Sequence, residues 1–508
     1  MRLLFVASEI YPLAKTGGLA DVAASLPVAL AEAGVDVRLM LPGYPSAMDT
    51  AIPTGRSVAI GDPLAVGETR LIEAVTPHGG LTVWLVDCPS LYRRGGGPYQ
   101  DDGSTDWPDN HLRFALLSHA AARVALGQAG EAWRPDVVHA HDWQTGLVPA
   151  LLAAAGPQRP QTLFTIHNVA FQGNFPAETF PRLGLPPWMF SADGVEFYGQ
   201  VSFLKAGLRY ADKLTTVSPT YAHEILTPEY GCGLEGVLQS RAADLVGILN
   251  GVDYGLWSPD DRRHVPAPYS TRDMAGKSAC KAALQNELGL EPSPDAPLFV
   301  FVNRLTEQKM ADALPDAVPA VCAQGGQLAV FGRGDASIEA RLTAAAARFP
   351  GRAAVRIGYD EGFARRMTAG GDSSLVPSRF EPCGLTQLYA MRFGAIPVVS
   401  RVGGLSDTVT DADDGAISAG TATGVVFNEV RPDGLIAAIG RAGDLYRRHE
   451  SWRRVQQSAM TVDFGWGRSA ARYLEIYTAL AGHPRAEAPA PDARPPREAP
   501  AEARRARA

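Results

Sequence analysis

Short apolar runs alternate with glycine-bearing loops and helical patterns along this chain, and they do so in two separate series. Leu3 to Ala7 reads as a buried strand, followed by a Pro- and Gly-containing loop from Pro12 to Gly18. A helical pattern spans Leu19 to Ala33 and stops at Gly34, and Val35 to Leu41 reads as the next strand. Strand, helix and strand at this spacing form a right-handed βαβ unit with a parallel sheet. The first series continues at Trp84–Val86, Asp136–His139, Thr162–Ile166 and Lys213–Val217. A second begins near Val246 and runs through Pro297–Val302, Gln327–Gly332, Ala354–Ile357, Ser374–Val376 and Ala395–Val399. At 508 residues the chain exceeds what one hydrophobic core usually organises. Two α/β sets of similar size predict two Rossmann-like, doubly wound domains facing a central cleft.

The expected first domain is 1–246, with the boundary near Gly247–Gly251, and the second is 247–462. Residues 463–482 carry a helical pattern, Arg468 to Leu480, that is expected to cross back onto the first domain. From 483 to 508 the chain is rich in Pro, Ala, Arg and Glu with no large apolar residue, the composition of a disordered tail.

Composition narrows the function classes. A net charge of −7 argues against a general nucleic-acid binder, which carries a basic excess. The five cysteines lack CxxC spacing, which favours reduced thiols over a disulfide frame or zinc site. The apolar run at the N-terminus stops at Ser8-Glu9, too short for a secretory core, and no 18-residue apolar span occurs. A soluble, cytoplasmic protein with no membrane partner is the expectation.

Candidate chemistry gathers at strand ends, where open α/β sheets bind ligands. Lys15-Thr16-Gly17-Gly18 joins the first strand to the first helix, and two glycines permit close backbone approach to a phosphate. A purely structural turn is an equal reading, because this is neither a Walker loop nor a full Gly-x-Gly-x-x-Gly fingerprint. His139-Ala140-His141-Asp142 and Thr165-Ile166-His167-Asn168 each close an apolar strand. The paired histidines lack a third ligand at supporting spacing, so no metal is expected. Arg304 and Lys309 stand on the loop after Pro297–Val302, suited to a diphosphate or to a surface salt bridge. Pro377 to Gln387 sets a lone carboxylate, Glu381, in a Pro- and Gly-bounded loop ahead of a helix start. Arg401 to Asp407 repeats the Gly-Gly-Leu-x-Asp pattern of Gly17 to Asp21, suggesting a related turn.

Together with Tyr198–Gly207, Val217–Tyr221 and Leu249–Asp253, these motifs run in order to about residue 480 and resemble the bacterial glycogen synthase and plant starch synthase family. The resemblance implies the two-lobed glycosyltransferase architecture called GT-B, without metal or prosthetic group. It implies transfer of glucose from ADP-glucose to the non-reducing end of an α-1,4-glucan with retained configuration. A UDP-glucose donor, or a catalytically weakened glucan-binding homologue, is the alternative. In the family pattern Arg304 and Lys309 clamp the leaving diphosphate, and Glu381 binds sugar hydroxyls. Lys15, Gly17, Gly18, Asn250, Cys383, Gly384, Leu385 and Thr386 contact the donor, while Asp142 and His167 serve the reacting centre from the other domain. This chain departs from the pattern at Met310, where glycine is usual, and at Asn303, where a small hydroxyl residue is usual.

Overall fold

A computed structural model of the chain describes residues 1–103 and 105–482; the expected tail, 483–508, lies outside the described residues. In the first half the strands are β1 (Arg2–Val6), β2 (Asp36–Pro42), β3 (Ile52–Gly61), β4 (Thr69–Val75), β5 (Thr82–Asp87), β6 (Val137–His141), β7 (Gln161–Ile166), β8 (Asn174–Pro176), β9 (Glu196–Phe197), β10 (Gln200–Ser202), β11 (Lys213–Thr216) and β12 (Leu245–Gly247). Nine of them form one sheet in the order β12-β11-β7-β6-β1-β2-β5-β4-β3, and β8-β10-β9 make a small separate sheet. The second half adds β13 (Leu298–Val302), β14 (Gln327–Gly332), β15 (Ala353–Ile357), β16 (Ser373–Val376), β17 (Ile396–Ser400) and β18 (Val425–Phe427). These form a six-stranded parallel sheet, β15-β14-β13-β16-β17-β18.

Both strand orders reverse once. In the first sheet the chain leaves β1 toward β2 on one side and returns to β6 on the other; in the second it leaves β13 toward β14 and returns to β16. Helices diverge to opposite faces at such a reversal, which opens a crevice at the carboxyl ends of the flanking strands. The loops after β1, β6, β13 and β16 are therefore the ones the topology offers to a ligand.

The first sheet is not purely parallel, contrary to the sequence expectation. β4 pairs antiparallel with both β3 and β5, adding an edge hairpin. β3 is almost wholly exposed and contains Pro53 and Gly55, so it shows no apolar run by which a strand is recognised. Central strands such as β6 are buried along their full length, which is why they read as continuous apolar segments.

Two stretches of chain pass between the lobes side by side. Val252 and Gly465 form an isolated parallel bridge, Val252 N–H donates to the Phe464 carbonyl at 2.7 Å, and the Ser469 hydroxyl donates to the Leu249 carbonyl at 2.6 Å. The last helix, Trp466–Gly482, packs on the helix Gly18–Glu32 and on β6 and β7. It buries Tyr473 and Tyr477 fully, each worth about 1.5–3 kcal/mol in removed apolar surface. The Tyr477 hydroxyl also hydrogen-bonds His139 Nδ1 at 2.7 Å, which fixes the helix in register on the sheet. No helix among the described residues is long and apolar enough to cross a membrane.

Candidate active site

At the first crevice, Glu9 follows β1 and is buried. Its carboxylate accepts the backbone N–H groups of Thr16 and Gly17 and the Tyr99 hydroxyl. That carboxylate pulls the Lys15–Gly17 turn tight against the sheet, and the helix Gly18–Glu32 starts from it. A Cβ added to Gly17 would meet nothing within 4 Å, and one on Gly18 would meet only Leu385 of the second lobe, at 3.4 Å. The pair thus borders open space. Lys15 is held by Asp21 at 2.8 Å and by Glu361 of the second lobe. Burial works to lower the Lys15 pKa, but the two carboxylates outweigh it and hold it well above the ordinary lysine value.

Asp142 follows β6 with φ 58 and ψ −179, backbone that a side chain bearing a Cβ adopts only under strain of order 1–3 kcal/mol. Its Oδ1 accepts the His167 N–H at 2.7 Å and the Asn168 N–H at 3.4 Å, so the carboxylate bridges the ends of β6 and β7. Burial pushes its pKa up to about 7, against those amides, which favour the charged form. His167 Nε2 lies 3.0 Å from His141 Nδ1, and burial lowers its pKa to about 3, so the imidazole is neutral. Asp142 and His167 are brought together as the family pattern implies.

The second crevice is built differently. Lys309, after β13, forms an ion pair with Glu381, after β16, and both are buried. The Ser378 hydroxyl donates to the same Glu381 oxygen at 2.8 Å. Arg379 ties the two loops together, its N–H donating to the Gln308 carbonyl at 2.9 Å and its guanidinium gripping Asp312 at 2.6 and 2.8 Å. Glu381, a lone carboxylate in sequence, is thus a paired one in space. Arg304 and Lys309 differ in their surroundings: Arg304 is exposed with no ion pair among the described residues, while Lys309 is buried and paired. Met310 sits at φ 57 and ψ 29, left-handed backbone that favours glycine, yet its side chain is fully buried in the second lobe's core.

Cys383, Gly384 and Leu385 lead into the helix Thr386–Arg392, whose N-terminus has no side-chain cap. Gly384 has φ 73, and a Cβ there would lie 2.3 Å from Gln387 Oε1. Burial pushes the Cys383 thiol up to about 12, against hydrogen bonding from Asn250, so it is no thiolate nucleophile. Among the described residues no cluster of His, Cys, Asp and Glu has the arrangement of a metal site.

Residues 2–240 match the family model described as starch synthase catalytic domain, and residues 296–442 match glycosyl transferases group 1. The chain is 52% identical to the glycogen synthase of Paramagnetospirillum magneticum over 95% of its length and 98% of that protein. It is 54% identical to that of Burkholderia thailandensis, over 96% of this chain and 92% of the relative. It belongs to the glycogen synthase and starch synthase family.

Among solved structures, the catalytic domain of starch synthase IV from Arabidopsis thaliana bound to ADP and acarbose aligns with a TM-score of 0.85 at 31% identity, covering 95% of this chain and 99% of that one. Sucrose-phosphate synthase from Thermosynechococcus elongatus aligns at a TM-score of 0.58 and 18% identity, a likeness of fold alone. Membership makes this chain a glycosyltransferase of the GT-B architecture. It also sharpens the view of residues that sequence reasoning missed. Glu9, Tyr99 and Ser378 hold functional loops by hydrogen bonds between positions far apart in sequence, which no local motif records. Glu361 answers Lys15 from the facing lobe, 346 positions away. Tyr359, 70% exposed just after β15, offers a flat aromatic face near that pair.

Proposed function

We propose that this chain transfers glucose from ADP-glucose to the non-reducing 4-hydroxyl of an α-1,4-glucan, retaining the α configuration. The observation that carries the reading is the buried Lys309–Glu381 pair at the strand-order reversal of the second sheet, in the same loop whose Leu385 lies 3.4 Å from where a Cβ on Gly18 would stand. A diphosphate seated there meets the Lys309 ammonium, the exposed Arg304 guanidinium and the amides at the start of the helix Thr386–Arg392. These groups offset the negative charge that grows as the leaving group departs. Gly17 and Gly18 leave room for the donor's phosphates, and the exposed Tyr359 ring stacks on its base.

Asp142 and His167 face the reacting centre from the first lobe. A neutral histidine and a carboxylate with pKa about 7 suit sugar hydroxyls, which need hydrogen bonds without strong charge. Glu381, occupied by Lys309 and Ser378, orients glucose and is not a free nucleophile. A double displacement needs a carboxylate lying under the anomeric carbon. The acceptor hydroxyl attacks from the same face as the leaving group, its proton passing to the departing phosphate oxygen. No metal or prosthetic group takes part in this step.

Radiolabelled ADP-glucose and UDP-glucose, each offered with glycogen, test it directly. Incorporation from ADP-glucose, faster than from UDP-glucose and lost in Lys309→Ala, is expected. Equal use of both donors, or no incorporation, overturns the reading.

A further inference from the structure

The acceptor side of the first lobe carries an exposed aromatic that the reaction above does not use. Tyr198 is 82% exposed and sits at φ 48, a conformation that bulky side chains avoid and glycine or asparagine usually fills. Three contacts hold it there. Gly199 N–H donates to Glu196 Oε1 at 2.7 Å, and β9 and β10 pair across the turn. Lys205, buried, donates to the carbonyls of Ala192, at 2.7 Å, and Glu196. A turn tightened in this way, only to leave an aromatic ring in water, is presenting that ring.

The ring does not stand alone. Phe197 meets Tyr198 edge-on with centroids 4.7 Å apart, and a Cβ on Gly233 would lie 3.3 Å from the Phe197 ring and 3.5 Å from the Tyr198 ring. Gln172 Nε2 donates to the Cys232 carbonyl at 2.9 Å, joining that loop to the segment that follows His167 and Asn168. The same segment exposes Phe171 by 49%, and its Gly173 fits against Trp143, the neighbour of Asp142. The segment Phe171–Gly173 thus packs on Trp143 beside Asp142 at one end and is hydrogen-bonded at Gln172 to the loop that carries Gly233, against the Phe197 and Tyr198 rings, at the other.

We propose that Tyr198 is a docking platform for the acceptor glucan, gripping sugar units several residues back from the reacting end. The inference rests on the reading that a glucan is the acceptor. Pyranose rings present an apolar C–H face, which stacks on an aromatic, and hydroxyl edges, which the tyrosine hydroxyl can meet. A rigid ring also loses little conformational freedom on binding, unlike a long flexible side chain.

The test uses the full-length protein in glycogen-containing native gels and in initial-rate assays. Tyr198→Gly relieves the backbone strain, so folding is not at risk. It should weaken glycogen retardation about three- to tenfold, the range expected for one lost aromatic contact. The half-saturating glycogen concentration should rise by the same factor, with kcat changed less than twofold. Tyr198→Phe should restore most of the affinity, and Trp188→Ala, which removes a 62% exposed aromatic elsewhere, should match the unaltered protein. The proposal falls if Tyr198→Gly binds glycogen like the unaltered protein, if Tyr198→Phe is as weak as Tyr198→Gly, or if Trp188→Ala weakens binding equally. Should the unaltered protein bind glycogen but fail to elongate it, the proposed reaction falls and the gels still decide the platform. Absence of any retardation overturns the platform itself.

Discussion

Two turns with the same Gly-Gly-Leu-x-Asp sequence, Gly17–Asp21 and Gly403–Asp407, use their glycines for opposite ends. At the first, added Cβ atoms meet open space or a single side chain at van der Waals distance. At the second, a Cβ on Gly403 would lie 2.0 Å from the Glu381 carbonyl oxygen, and one on Gly404 would lie 2.2 Å from that of Cys383. Gly404 N–H also donates to the Glu381 carbonyl at 3.0 Å. The aspartates differ as well. Asp21 pairs with Lys15 within its own turn, whereas Asp407 reaches across to the Ser218 and Thr220 hydroxyls of the first lobe. One pair of glycines leaves a place for a ligand; the other presses the loop bearing Glu381 into position. A glycine motif therefore reports that backbone must come close, and only the structure says to what.

Lys309→Ala tests the loop that the second turn supports and should have the largest effect. Removing one partner of a buried ion pair strands Glu381, destabilising the protein by about 3–5 kcal/mol. The lost charge stabilisation should lower kcat by about 10²–10³-fold. The double variant Lys309→Met/Glu381→Gln should recover much of the stability in thermal melts and none of the activity. Recovery of both would mean that the pair is purely structural.

Gly404→Ala should come next, destabilising by about 1–3 kcal/mol through overpacking against backbone that cannot swing aside. Activity should drop with it, since Glu381 moves. Gly17→Ala provides the contrast: its unfolding free energy should stay within about 0.5 kcal/mol of the parent protein, with a KM change confined to the nucleotide sugar. A Gly17→Ala protein that melts early, or a Gly404→Ala protein that melts normally, would break the comparison.

A separate test concerns pH. The folded pKa of Asp142, about 7, lies above the ordinary 3.8 of an aspartate. Its contribution to stability is thus fully present below about pH 4 and fades as pH rises toward 7. Activity should move the other way, kcat/KM rising through about 7 as the hydrogen-bond-accepting carboxylate forms. Asp142→Asn should flatten both trends, which melting curves and rate profiles between pH 5 and pH 8 would reveal.

Much of the architecture was legible because central parallel strands are buried on both faces and read as unbroken apolar runs, as β1, β13 and β14 do. The edge strand β3 escaped notice for the converse reason, being solvent-facing and interrupted by Pro53 and Gly55. Strand ends pointed correctly to where Asp142, His167, Lys309 and Glu381 lie, since the loops at the strand-order reversals must converge. Their mutual state was not legible. Lys309 and Glu381 are 72 positions apart, and a charge with a distant partner looks, in sequence, like a charge with none. Lys15 misled in the same way, because Glu361 answers it from the opposite lobe.

The paired crossings at Val252 and Gly465 carry a mechanical consequence. A single tether would let one lobe swivel and slide freely against the other. Two strands laced in parallel by hydrogen bonds resist both torsion and shear, and leave bending about their common line as the soft motion. Because the chain returns to its starting lobe through the helix Trp466–Gly482, one backbone cut cannot part the halves. The seam thus favours a clamshell arc over twisting as the direction in which the two lobes give way.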